Sequence, residues 1–236
     1  MSKYLFCLWT TLAAFLPACA TQADIIYNTF GGGIGYSQLE GATVGSLSAA
    51  APNYMLGEQF FLDPLGPDYY VDSVTIAVLG NAPTVATVSI LEDSGADSPS
   101  PTALPVASVQ IALPLSPFNS FSLVTADFNS GGVFATDGLL LSGTSYWLAV
   151  STDVGSEFAW ADTTNSALLA FQGTSVDGGL TWDVYFRGDP INDFPIAAYS
   201  VSGTSAVPEP SSSILLAILL FGFTKRIKRL VPQEYN

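Results

Sequence analysis

Val71-Asp-Ser-Val-Thr-Ile-Ala-Val78, followed across Gly80-Asn-Ala-Pro83 by Thr84-Val-Ala-Thr-Val-Ser-Ile-Leu91, decides the fold class. In the first run Val74, Ile76 and Val78 share one phase, with Ser73, Thr75 and Ala77 on the other. In the second, Ala86, Val88 and Ile90 repeat the pattern. A period of two is that of a strand with one buried face. The Gly-Asn-Ala-Pro link is turn chemistry, so the two runs are expected to pair as a hairpin.

Outward from this pair the texture stays the same. Short runs rich in Val, Thr, Phe and Tyr lie at 54–62, 106–113, 119–128, 138–141, 144–151, 157–161, 168–172, 181–186 and 196–201, separated by Gly, Pro, Asn, Asp and Ser. No amphipathic helix of ordinary length interrupts them. About ten short strands at turn-punctuated spacing predict an all-β fold, an antiparallel β-sandwich of jelly-roll-like type. Three local patterns add to this. Gly57-Glu-Gln-Phe-Phe61 reads as an opening strand whose aromatic residue plugs the core. Gly138-Leu-Leu-Leu-Ser-Gly-Thr-Ser-Tyr-Trp-Leu-Ala-Val150 reads as two strands about a tight turn. Phe158-Ala-Trp160 and Gly179-Leu-Thr-Trp182 read as further paired strands.

Both ends of the chain carry sorting signals of opposite order. Lys3, an apolar run from Tyr4 to Leu16 and the small residues to Ala23 make a secretory signal peptide, cut after Ala23, with Ala20 as the alternative. Leu16-Pro-Ala-Cys19 offers a lipoprotein reading, against which Pro17 and the second anchor both weigh. At the other end Val207-Pro208-Glu209-Pro210 precedes an apolar segment over 211–224 and a basic stretch, Lys225-Arg226-Ile-Lys228-Arg229. The organisation expected is therefore a leader (1–23), a single β-sandwich ectodomain (24–203) and a C-terminal sorting signal (204–236). The apolar segment is short of the roughly 20 residues a spanning helix needs. A permanent, uncleaved membrane anchor is the plainer alternative.

Between the signals the composition excludes much. Residues 24–206 hold 18 of the 20 acids and one cation, Arg187, a formal charge of −17. Such a surface repels phosphate backbones, so no nucleic-acid partner is expected. The stretch has no His, Cys or Lys, which removes Ser-His-Asp, Cys-His, Ser-Lys and Schiff-base catalysis and the usual zinc sites. Both cysteines, Cys7 and Cys19, lie in the leader. Only paired carboxylates remain for acid–base work. No enzyme activity and no obligatory cofactor are expected.

Two candidate binding features survive. Glu92, Asp93 and Asp97 fall in one predicted loop, where close carboxylates could hold a hard cation such as calcium; a solvated acidic loop is the alternative. Trp160 and Trp182 could stack on sugar rings if they lie at an open sheet face, although core packing is the usual fate of a strand tryptophan. Asp127-Phe-Asn-Ser-Gly-Gly132 and Asp177-Gly-Gly179 read as turns. Gly31-Gly-Gly-Ile-Gly35 lacks the strand-to-helix setting of a phosphate loop and reads as a linker.

The run Val207-Pro-Glu-Pro210, with its apolar segment and basic tail, resembles the PEP-CTERM sorting domain of Gram-negative, exopolysaccharide-producing bacteria. The ectodomain, through Gly57 to Phe61, Ser73-Val-Thr-Ile, Val88-Ser-Ile-Leu-Glu-Asp93 and Gly143-Thr-Ser-Tyr-Trp147, resembles the choice-of-anchor family of bacterial surface domains, most nearly its R type. The first resemblance implies an exosortase-type membrane transpeptidase as partner, with Val207, Pro208, Glu209 and Pro210 as the recognised motif. Lys225, Arg226, Lys228 and Arg229 would then hold the tail cytoplasmic during transient inner-membrane insertion. The protein so implied is an exported structural or adhesive component of the cell surface and extracellular polysaccharide matrix. A carbohydrate-binding module with calcium support is the alternative.

Overall fold

The computed structural model describes residues 23–30, 35–46, 54–80, 84–100, 104–115, 120–134, 137–165, 168, 170–187 and 196–206. Residues 1–22 of the expected leader, Ala20 among them, the Val207–Pro210 motif, the apolar segment and the basic tail lie outside the described residues. One compact unit runs from Ala23 to Ala206. Its strands are β1 (Asp24–Asn28), β2 (Tyr36–Gly45), β3 (Met55–Phe61), β4 (Tyr69–Gly80), β5 (Thr84–Glu92), β6 (Ala107–Leu113) and β7 (Ser122–Asp127). After a 3-10 turn (Phe128–Ser130) come β8 (Val133–Phe134), β9 (Leu139–Leu140), β10 (Ser145–Thr152), β11 (Glu157–Thr163), β12 (Ala170–Ser175), β13 (Asp183–Arg187) and β14 (Tyr199–Ser205). All pairings between them are antiparallel and fall into two sheets, with no α-helix among the described residues.

β4 organises the first sheet. One edge pairs with β14 over Tyr69–Ile76 and then with β11 over Val78–Gly80; the other takes β9 at Tyr69–Tyr70 and β7 at Ser73–Val78. β1 flanks β14 and β2 flanks β11. The second sheet has the order β13-β12-β3-β10-β5-β6-β8.

The alternating runs thus form strands as expected, but their pairing differs. β4 and β5 are in different sheets, so the expected hairpin does not exist. Both edges of β4 are filled by other strands, and β5 lies between β10 and β6. The step from Gly80 to Thr84 can cross the ~10 Å between packed sheets, since an extended residue covers about 3.3 Å. The apolar run at 138–150 likewise divides, with β9 beside β4 and β10 between β3 and β5. Trp160 and Trp182 belong to different sheets as well, Trp160 on β11 and Trp182 just before β13. Among the described strands only β5/β6 and β12/β13 are hairpins of consecutive strands. β1, β2 and β8 are strands that the alternation did not announce. The first two are edge strands, which bury too little to show a period.

The buried phase of each strand meets between the sheets. Val74, Ile76, Val78, Phe158, Trp160 and Val201 come from the first, and Phe60, Ala86, Val88, Ile90, Leu148 and Val150 from the second. Each fully buried Val, Leu, Ile or Phe contributes roughly 1.5–3 kcal/mol by leaving water. Phe60 does plug the core: its ring lies 5.5 Å from Tyr27 and 5.8 Å from Tyr146, and Tyr199 lies 5.9 Å from Trp160. Glu58, fully buried, fastens the sheets together. Its Oε1 accepts the Gln172 carboxamide of β12 and the Ala197 N–H (3.1 Å) just before β14. Burial, and then the Glu58 charge, push the Tyr27 phenol above its ordinary range. The Tyr199 hydroxyl donates to the Gln59 carbonyl (3.3 Å).

Candidate functional site

Register places one row of small residues across the outer face of the second sheet. Val184, Gly173, Gly57, Ala149, Ser89, Ser108 and Val133 are successive cross-strand partners through all seven strands. At the β12/β3 end the missing side chains leave a floor on which two indoles lie. A Cβ on Gly57 would stand 3.0 Å from the Trp182 ring and 3.4 Å from that of Trp147; one on Gly173 would stand 3.0 Å and 3.3 Å from them. A glycine in mid-strand marks a place where something must approach the backbone closely.

Trp147 projects from β10 onto this floor and is wholly buried, though on the outward face of the sheet. Its Nε1 donates to Asp93 Oδ2 (2.9 Å), which also accepts Gln59 Nε2 (2.7 Å), while Asp93 Oδ1 accepts the Gly95 N–H (2.7 Å). Asp93 therefore joins β3, β10 and the loop after β5. The calcium reading named Asp93 together with Glu92 and Asp97. Glu92 and Asp97 are exposed and do not converge with Asp93, and no group of three acidic, His or Cys side chains among the described residues could hold a metal ion. The loop closes on itself through Ser94 N–H to Ser98 O (2.8 Å) and Ser100 N–H to Glu92 O (2.9 Å).

Trp182 is held over the glycines by the loop between β12 and β13. Asp177 Oδ1 accepts the Ser175 hydroxyl (2.9 Å) and the Thr181 N–H (2.9 Å), and Oδ2 accepts the Thr181 hydroxyl (2.6 Å). These bonds, the Thr181 hydroxyl foremost, lower the Asp177 carboxyl from 3.8 to about 2. Trp182 Nε1 donates to the Gly179 carbonyl (3.0 Å), so the ring leaves the loop in one orientation. Asp177-Gly-Gly179 is a turn, as expected, and its purpose is to aim the indole.

Of the two tryptophans expected to stack on sugars, Trp160 does not qualify. It is 0% exposed inside the sandwich, with Nε1 donating to the Ala198 carbonyl (2.9 Å). Its phase on β11 matches Phe158, so it points at the core. Trp182 is half-buried and on the outer face. Around it the same face presents Phe171 and Phe186, edge to face at 5.1 Å, and Phe61; Phe186 and Phe61 are about half exposed. Sequence reasoning missed Phe171, Phe186, Gln59 and the glycine pair. The outward phase of Gly57 and Gly173 was the signal that could have found them. What the face can do chemically is bind, through aromatic surface beside the carboxamide of Gln59. Comparison with protein-family models, curated proteins and solved structures returned no match.

Proposed function

We propose that the chain is an exported, non-catalytic β-sandwich, delivered through its C-terminal signal to the cell surface of a Gram-negative bacterium and retained in the extracellular polysaccharide matrix as a structural or adhesive component. The observation that carries this reading is the order Val207-Pro208-Glu209-Pro210, apolar 211–224, then Lys225, Arg226, Lys228 and Arg229, beginning directly after the compact unit that ends at Ala206. On this reading an exosortase-type transpeptidase recognises the Pro-Glu-Pro motif while the segment is briefly inserted in the inner membrane, and signal peptidase cuts after Ala23. The resemblance to PEP-CTERM proteins and to the choice-of-anchor R type stands behind it. Strand order supports a jelly-roll-like winding, because most successive strands alternate between the sheets. Asp24 pairs with Gly203, so the first and last strands of the sandwich lie side by side at one edge of the first sheet.

A second reading, a carbohydrate-binding module, draws support from the half-exposed Trp182 with Phe171, Phe186 and Phe61 on one sheet face. The first reading is tested by intact mass and cell fractionation of the native protein, wild type against Pro208→Ala/Glu209→Ala/Pro210→Ala. The expected wild-type species lacks leader and basic tail and is found outside the inner membrane, and the triple variant keeps its tail. A native protein that retains Lys225 to Asn236 in the inner membrane whatever the motif would make it an ordinary membrane-tethered sandwich.

A further inference from the structure

The row of small residues does not end at the tryptophans. Trp147 and Trp182 cover its glycine half, and its far end, at Ser108 and Val133, opens into a cleft of about 460 Å³. Thr87, Ser108 and Gln110 of β5 and β6 line one side; Thr125 and Asp127 of β7 and Ser130 of the following turn line the other. Val109, Ile111 and Val133 supply aliphatic surface between them. The volume falls within the ordinary range for small-ligand sites, about 300–1,000 Å³.

The chemistry of the lining selects the ligand. The hydroxyls of Thr87, Ser108 and Thr125 and the carboxamide of Gln110 can both donate and accept, and the Ser130 hydroxyl, which donates to the Asp127 carbonyl (3.1 Å), can accept; this suits a partner whose own groups do both. The aliphatic patches suit its C–H faces. Asp127 is the one charged group in the lining, and the sandwich around it carries 18 acids against one arginine, so an anionic ligand is repelled. Ser108 is held by Ser89 (Oγ to Oγ 2.9 Å) and Thr125 by Thr75 (3.0 Å), so two of the hydroxyls are set in position by the strands beneath. We propose that this cleft binds an uncharged, polyhydroxylated segment of a polysaccharide, at the edge of the sheet opposite the Trp182 face. The inference deepens the matrix reading above and rests on it for the source of the ligand. β12 and β6 are four strand spacings apart, roughly 19 Å at about 4.8 Å each, which separates the cleft from the aromatic face by several sugar rings.

The test uses the detergent-solubilised full chain and the polysaccharide secreted by the cells that make it, hydrolysed to oligosaccharides of about six residues and split into neutral and acidic fractions. Calorimetry and amide shift mapping are read on wild type, Thr87→Val/Gln110→Ala and, as a surface control, Glu40→Ala on β2. The neutral fraction is expected to bind and to shift amides of β5, β6 and β7. The double variant should lose about thirtyfold in affinity, two hydrogen bonds at about 1 kcal/mol each, while Glu40→Ala binds as wild type. Preference for the acidic fraction, no binding by a natively folded chain, or equal affinity in the double variant overturns the proposal. Loss with Trp182→Ala alone moves the ligand to the aromatic face, and equal affinity for the free monosaccharide replaces the polymer with a small sugar; both also overturn it. An extended peptide that shifts β7 where the oligosaccharide does not would assign the cleft to strand addition. Mass and fractionation are unaffected by these variants, so failure of the sorting reading and failure of this one are seen separately.

Discussion

Gly57 and Gly173 face each other across β3 and β12, and what they lack shapes the outer face. A methyl group at either would meet the Trp182 ring at 3.0 Å, inside ordinary contact distance. Overpacking of this kind costs about 1–3 kcal/mol. Gly57→Ala is therefore expected to lower the denaturant midpoint with an unchanged slope, and Trp182→Ala in the same chain to restore most of the loss, because the indole rather than the backbone is what the methyl strikes. Equal destabilisation with and without Trp182 would show that the glycine serves the strand itself. At this scale the sequence was partly legible. The Val74/Ile76/Val78 face could be read from alternation, and an aromatic plug from Gly57–Phe61, whereas which of its two phenylalanines enters the core and the fates of Trp147, Trp160 and Trp182 could not. All three tryptophans lie in or beside strands of mixed pattern, and the strand's phase together with what covers the outer face decides which indole meets solvent.

The loop between β12 and β13 carries a response to pH. The folded pKa of Asp177 is depressed to about 2 from 3.8, so its stabilisation of the loop is fully present above about pH 4 and lost as pH falls through about 2. Trp182 fluorescence followed from pH 5 to 1.5 should show a step in that window, preceding loss of the β-sheet signal, and Asp177→Asn should abolish the step. The strand elements themselves were well announced where one face is buried. β5 begins at Thr84 as expected, and β4 extends the expected run to Tyr69 and Gly80. Their partners were not announced. A turn-like link between two alternating runs is equally compatible with a hairpin and with a crossing between sheets, because alternation records burial of a face and says nothing of which edge is filled.

For the whole molecule, charge and redox chemistry make firm expectations. Self-repulsion among 18 acids and one cation between residues 24 and 206 destabilises the compact state, and at 0.15 M salt it is screened beyond ~8 Å. The thermal midpoint should rise between 10 mM and 150 mM sodium chloride and stay the same with or without reductant, since both cysteines lie before Ala23. A falling midpoint, or one that responds to dithiothreitol, would contradict this account of its stability. The all-β class, the absence of His, Cys and Lys from the sandwich, its charge, and the terminal signal patterns are properties of composition and period, and the sequence by itself determined them. Tertiary structure alone decided that β4 and β5 part company, that Asp93 joins Trp147 and Gln59, and that Trp160 is core while Trp182 reaches the surface. It also decided that a row of small residues from seven strands ends in a cleft of mixed polar and aliphatic lining. Each of these depends on which edges pair and in what register, and pairing joins residues distant in the chain, where no local pattern records the choice.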